Sequence, residues 1–360
     1  MPRPTLLTII PHSPAFDSCF PLIERLHRRG RIATRTLVGP RLRQVEPRVE
    51  QAFARAGVPM QAAGWLRSEL FCLPDILRAT AVLTHSDPVA YGKPLRPRDA
   101  YLTRFDRPVI MVQHGMTQAG LHRPLGARRF DFFARKLLLW QPIGAPDFIT
   151  RPITERSHVT GLIKVNRLGP HPGLDGLRRS LAGWRQTVLI CHNFGFEGTL
   201  FSDQDRQRNF AIWAQLFDRR PDTLFLLRGH RGKRHSATEA DIAALCEGRA
   251  NVLRSERHDG LMRMATIHDV MAVCDRVITH PSTVVLDAIY DGLPVGVFDA
   301  AAFPEVAALP QLDSLAEFER FLDNPDGLAA NLPLRRAYGE PDANLDLAAG
   351  ILEDWLESLA

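Results

Sequence analysis

Short apolar runs recur along this chain, each ending in a polar cluster and most followed by a helix-length amphipathic stretch. TLLTII (5–10) runs into PHSP and then FDSCFPLIERLHRRG, closed by Gly30, before the next run, ATRTLVG (33–39). AVLTH (81–85) and PVIMVQHG (108–115) have the same form. The pattern restarts at TVLICHN (187–193) and continues through TLFLLRGH (223–230), NVLRS (251–255), RVITH (276–280) and VGVF (295–298). Strands alternating with helices pair in parallel and are covered on both faces, which makes them apolar throughout. Two such series predict an α/β protein of two Rossmann-like domains facing each other across a cleft. The Gly- and Pro-rich GLIKVNRLGPHPGLDGL (161–177) marks the join. The first domain is therefore expected over 1–165 and the second over 166–344. The amphipathic tail, LDLAAGILEDWLESL (345–359), is expected to pack back on the first domain.

Open parallel sheets bind ligands outside the carboxyl ends of their strands, so the strand ends carry the candidate chemistry. His12 and Ser13 follow the first run, His85 the run AVLT, and His114 with Gly115 the run PVIMVQ. In the second series His192 follows TVLIC, His230 follows TLFLLRG, and His280, Ser282 and Thr283 follow RVIT. A single such histidine is an ordinary packed or solvated side chain. Six of the thirteen at one kind of position predict a site. The stretch HPSTVVLDAIYDGLP places hydroxyls where a strand becomes a helix. There Ser282 or Thr283 caps the helix, while the free N–H groups of its first turn attract an anion. Arg228 and Arg231 supply further positive charge, and Asp287 stands one helical turn on. No H-E-x-x-H or Cys/His finger spacing occurs, and the loop from His230 to His235 is too basic to hold a cation. No Gly-rich dinucleotide or Walker motif occurs either. The chain is thus expected to use neither metal nor bound cofactor.

Composition changes this picture little. With 360 residues, 45% hydrophobic and 24% charged, the chain suits two globular cores. Five scattered cysteines without C-x-x-C read as reduced thiols of a cytoplasmic protein. No apolar run approaches the ~20 residues of a membrane span, and the N-terminus lacks the pattern of a signal peptide. The net charge is +5. Its clusters, RLHRRGR (25–31) and RGHRGKRH (228–235), fit phosphate or anionic lipid better than the continuous stripe that nucleic acid requires.

Four segments in order resemble the CDP-glycerol glycerophosphotransferases (the teichoic acid polymerase family) and related capsule glycosyltransferases of GT-B fold. These are VQHG, VTGLIKVN (159–166), LLRGHR, and CDRVITHPSTVVLDAIYDGLPV, followed by GEPDAN (339–344). Where that family carries Asp-Tyr, Ser and Pro, this chain has His280-Pro281, Thr283 and Arg231. Its His-Pro and its GFEG (195–198) are also similar to bacterial sialyl- and Kdo-transferases, which use CMP-sugars.

The resemblance implies a metal-independent transferase moving a glycosyl or glycerophosphoryl group. The donor would be nucleotide-activated, of CDP or CMP type, and the acceptor a cell-surface or lipid-linked glycan. His114 corresponds to the catalytic base, with Glu197 as an alternative base or acceptor contact. Arg228, His230, Arg231, His280, Ser282, Thr283 and Asp287 fall on the donor side, and His12, Ser13 and Gly115 on the acceptor side. Such an enzyme works at the inner face of the plasma membrane, with RLHRRGR as the contact to anionic lipid. Two other classes share the architecture: a non-hydrolysing sugar-nucleotide epimerase, whose acidic pair is not evident in the first domain, and a non-catalytic interaction module.

Overall fold

A computed structural model describes residues 3–87, 96–118, 120–122, 129, 131–143, 146–149, 153–194, 201–229, 236–255, 262, 265–324 and 327–359. The chain forms two compact units, one of Met1–Gly169 with Ala337–Ala360 and one of Pro170–Arg336. Each is built on its own parallel sheet.

The first sheet holds β1 (Thr5–Ile10), β2 (Ala33–Val38), β3 (Met60–Ala62), β4 (Ala81–Thr84), β5 (Val109–Val112), β6 (Lys136–Leu139) and β7 (Ser157–Val159), in the order β3-β2-β1-β4-β5-β6-β7. The second holds β8 (Gln186–His192), β9 (Thr223–Gly229), β10 (Val252–Arg254), β11 (Arg276–Thr279) and β12 (Val295–Val297), in the order β10-β9-β8-β11-β12. Both orders grow one way from the first strand and then resume on its other side. The reversal lies between β1 and β4 in one unit and between β8 and β11 in the other. Connections diverge there and leave a crevice at the carboxyl ends. The apolar runs of the sequence are these strands. β3 and β7 escaped that reading because they are edge strands whose MQA and SHV hold no apolar run, and the short run of β6, KLLL, was passed over.

Leu7, Val82, Val109, Met111 and Leu137 form the heart of the first core, under the helices. The second core is more aromatic, with Trp213, Phe217, Phe225, Phe298 and Phe318 around Val188 and Ile190. The helix Ser13–Arg29 ends at Gly30, whose φ of 73° lets its N–H turn back to the Leu26 carbonyl.

Against that helix lies the C-terminal helix Pro341–Ser358, which buries Leu345, Ala348, Ala349, Leu352 and Leu356. It starts four residues before the expected tail, because Pro341 fits the first turn of a helix. Its acidic side meets the basic cluster 25–31. Arg25 pairs with Asp342 and Asp346 at 2.7 Å, and Arg29 with the fully buried Glu353 at 2.9 Å. Arg31 reaches Glu353 at 3.3 Å, Asp354 at 3.0 Å and Glu357 at 2.6 Å. The expectation that RLHRRGR meets anionic lipid is therefore corrected: these arginines are neutralised by the protein's own carboxylates. No helix among the described residues is long and apolar enough to cross a membrane.

Two of the motifs that carried the resemblance touch one another. Gly161, at φ 79°, lies so close to Asn344 that a Cβ there would stand 2.5 Å from its side chain. The Asn344 amide donates to the carbonyls of Leu162 and Tyr338 at 3.0 and 2.8 Å. VTGLIKVN and GEPDAN are thus one structural joint, formed where the chain leaves the first unit and returns to it.

Candidate functional site

At the reversal point of the first sheet, three adjacent strands end in histidine. The rings of His12, after β1, and His85, after β4, meet edge to face at 4.8 Å. His85 and His114, after β5, follow at 5.3 Å. All three are partly exposed. The Nδ1–H of His114 donates to the His85 carbonyl at 2.7 Å. That bond fixes the tautomer and leaves the lone pair on Nε2, the form of the ring that a general base requires. The loop carrying His114 is braced from within. Its backbone N–H donates to Gln118 Oε1 at 3.1 Å, and the Gln118 N–H donates to Nδ1 of His122 at 3.1 Å. The buried amide of Gln113 links the Gly115 carbonyl to the Trp140 N–H, each at 2.8 Å.

The trio is held neutral. Burial pushes His12 down to about 4, with help from the cations Arg96, Arg98 and Arg41. Burial likewise lowers His85 well below its usual value, as do the neighbouring His114 and His12. His114 is lowered by burial and by Lys164, against the opposing pull of its bond to the His85 carbonyl. The helix Ser13–Arg29 begins at His12 with no acidic residue in its first turn. Neutral imidazoles among cations and a helix N-terminus make a place for an anion beside a base. Ser13 and Gly115, expected on the acceptor side, flank these rings in sequence and are partly exposed.

In the second unit the two described strand-end histidines, His192 and His280, are buried. His192 is buried among Phe194, Phe210 and Trp213, at ring distances of 6.0 to 6.2 Å. His280 is fully buried and stacks on Phe201 at 3.8 Å. Its Nδ1 accepts from the Asn193 N–H at 2.8 Å and its Nε2–H donates to Asp299 at 3.2 Å. Burial lowers it to about 4, although Asp299 pulls the other way. With both nitrogens engaged, His280 braces the crevice wall and does not present itself to a phosphate, which corrects its expected role. Arg228 is corrected on the same grounds. It is buried, and it donates to the carbonyls of Ser255 and Ala265 at 2.8 and 2.9 Å, which ties two loops together.

Ser282 caps the helix Thr283–Tyr290, its hydroxyl accepting from the Val284 N–H at 3.3 Å. Both Ser282 and Thr283 are partly exposed at the head of that helix, at the reversal point between β8 and β11. Asp287 is nearly buried, 3.8 Å from Nε2 of His268. Glu197, His230 and Arg231 lie outside the described residues.

The sequence reading did not single out Asp299, although three side chains converge on it. Arg208 and Asn209 donate to its carboxylate, Asn209 at 2.9 Å, alongside His280. Its φ of 52° is a conformation that Asp tolerates better than most residues. An aspartate directly after a buried strand, in VGVFDA, was the available signal. His122 and Gln118 were equally silent, because they belong to a loop and follow no strand.

No protein-family model matches the chain, and no curated protein matches it in sequence. Solved structures do resemble it over nearly its whole length. A Listeria monocytogenes protein assigned as a UDP-N-acetylglucosamine 2-epimerase is 16% identical, with a TM-score of 0.67, over 99% of this chain and 98% of that one. The UDP-N-acetylglucosamine 2-epimerase of Neisseria meningitidis, solved with UDP-N-acetylglucosamine bound, is 14% identical, with a TM-score of 0.58, over 97% and 100% of the chains. A glycosyltransferase from Rickettsia africae is 10% identical, with a TM-score of 0.54, over 98% and 99%. At these identities the likeness speaks of fold, and the fold is the two-domain GT-B architecture.

Proposed function

We propose that the protein is an enzyme acting on a nucleotide-linked sugar, with His114 as the base. The observation that carries this reading is the trio His12, His85 and His114, neutral and ringed by cations at the reversal point of a Rossmann sheet. Two chemistries begin alike, with loss of the nucleotide as the anomeric C–O bond breaks. In one, a proton leaves C2 and returns on the other face while the nucleotide is added back, giving the C2 epimer. In the other, an acceptor hydroxyl loses its proton to the base and takes the sugar.

Epimerisation is the first reading, because 2-epimerases recur among the structural neighbours and carry higher TM-scores than the transferases. UDP-N-acetylglucosamine, held by the Neisseria protein, is accordingly the first substrate to test, ahead of the cytidine-linked donors that the sequence favoured. Transfer is the second reading. The groups shifting His12 and His114 among the described residues are cations and another histidine, and that setting suits an anionic leaving group and a hydroxyl acceptor. In the second unit, Ser282, Thr283 and the helix start remain the candidate phosphate contacts.

Incubating the protein with UDP-N-acetylglucosamine in deuterated water separates the readings. Deuterium at C2 together with the C2 epimer supports epimerisation. Nucleotide release that requires an added glycan, with UDP-, CMP- or CDP-linked donors, supports transfer. Binding without turnover under every condition points to the non-catalytic module.

A further inference from the structure

The loop that carries His114 contains a second histidine, His122, which is joined to Gln118 in both directions. The His122 backbone N–H donates to the Gln118 carbonyl at 2.9 Å, and the Gln118 N–H donates to Nδ1 of His122 at 3.1 Å. The two bonds close a ring, much as a capping box closes the start of a helix. Between them Gly120 takes a φ of 83°, a conformation that glycine adopts without strain. Met116 and Leu121 are buried and anchor the turn, Leu121 within the first core.

That turn orients Gln118. The residue is buried, and its side-chain Oε1 accepts the His114 N–H at 3.1 Å. With its backbone held there, His114 donates Nδ1–H to the His85 carbonyl at 2.7 Å. Three bonds thus run in series, from His122 to Gln118, from Gln118 to His114 and from His114 to His85. The first of them requires one form of the His122 ring. A backbone N–H only donates, so Nδ1 of His122 carries the lone pair and the proton sits on Nε2. Nε2 stands 3.5 Å from the amide nitrogen of Gln113, which places the ring between the two glutamines that brace the loop.

We propose that His122 is a positioning residue for the base, acting through Gln118 and touching no reacting atom. The inference rests on His114 being that base. His114 lies beyond the end of β5, where no sheet ladder holds the backbone, so side-chain bonds must do so. The accuracy matters, because a displacement of about 1 Å can cost about a hundredfold in rate. His122 commits Nδ1 to its own turn, as a structural acceptor does and a proton carrier does not.

Substitutions that separate the acceptor from the ring test this. Asn places Oδ1 where His places Nδ1, whereas Leu offers no acceptor. With whichever turnover the deuterium or nucleotide-release assay detects, His122→Leu should lower kcat about tenfold or more and leave KM within about twofold. Gln118→Leu should do the same, and His122→Asn should keep kcat within about threefold of the parent. With His114→Ala already in place, His122→Leu should change kcat by less than about twofold, because it acts only through that ring. Circular dichroism and melting temperature check the fold; should His122→Leu fail to fold, Gln118→Leu carries the same comparison. A second measurement needs no substrate. In the full chain labelled with nitrogen-15 histidine, imidazole NMR should show His114, assigned by its loss in His114→Ala, as the Nδ1–H tautomer. That form should persist in His122→Asn and become a mixture in His122→Leu. Turnover left intact by His114→Ala would remove the base reading, and the tautomer would still show whether His122 fixes that ring. Three results overturn the proposal: an unchanged His114 tautomer in His122→Leu, a raised KM with kcat intact, or a loss in His122→Asn equal to that in His122→Leu.

Discussion

His114 and His280 both follow a buried strand and both lie within reach of other rings, yet the structure gives them opposite work. His114 fixes Nδ1 to a backbone carbonyl, which leaves the lone pair on Nε2, whereas His280 engages both nitrogens inside the core. His114→Ala should therefore lower turnover by about two orders of magnitude or more while nucleotide affinity stays nearly constant, since a base acts mainly in the transition state. Steady-state kinetics beside equilibrium binding check this, and loss of binding with turnover intact would reassign the residue. The buried histidines also shape the response to acid. An unfolded chain protonates His280 near 6.5, the folded chain only near 4, so the unfolded state binds more protons between those values. Stability is complete above pH 6.5 and declines as the pH falls toward 4; His280 alone accounts for on the order of 3 kcal/mol at the acid end. His12 acts in the same direction over the same window. Urea melts at pH 7 and pH 4.5 should show the loss, and His280→Phe should shrink it. The position of these histidines was legible in the sequence, because a strand end can be read from an apolar run. Their accessibility was not, because it depends on which rings cover them: Phe194, Phe201 and Phe298 over His280, and other imidazoles beside His114.

The helices Ser13–Arg29 and Pro341–Ser358 show how the same limit acts on an element. Taken alone, the run RLHRRGR is a basic patch, and only its partner reveals that the charge is consumed. The cluster and its carboxylates are more than 300 residues apart in sequence, as in the pair of Arg25 with Asp342, and no local pattern reports such a pairing. Glu353 is the centre of this contact, fully buried and shared by Arg29 and Arg31. Glu353→Ala leaves two arginines facing an emptied site and should cost about 2 kcal/mol, below the range for fully buried pairs because both arginines stay partly in water. Asp354→Ala, which removes a largely exposed carboxylate from Arg31, should cost well under 1 kcal/mol by the same reasoning. Chemical denaturation of the two variants side by side measures the difference, and equal losses would refute a buried centre to this contact. The strands that the sequence reading lacked tell a parallel story. β6 and β7 extend the sheet beyond β5 with three or four residues each, and such strands are fixed by the neighbour they pair with rather than by their own pattern.

At the scale of the whole chain, the connectivity makes an asymmetric prediction. The unit Pro170–Arg336 is one continuous segment with its own sheet and its own aromatic core, whereas the other unit needs both Met1–Gly169 and Ala337–Ala360. A continuous unit with a complete core is able to fold alone, and a discontinuous one loses part of its core when cut. Expressed alone, residues 170–336 should give a soluble protein with a single cooperative unfolding transition. Residues 1–169 alone lack the helix that buries Leu345, Leu352 and Leu356 and that neutralises Arg25, Arg29 and Arg31, and should be unstable or aggregate. Supplying 337–360 through a flexible linker should restore the transition, because the missing parts are then the helix and the Asn344 joint to Gly161. Circular dichroism during thermal denaturation of the three proteins decides the matter. Cooperative unfolding of 1–169 without the tail would show that the helix is an accessory to that core, and failure of 170–336 to fold would show that its sheet depends on the rest of the chain.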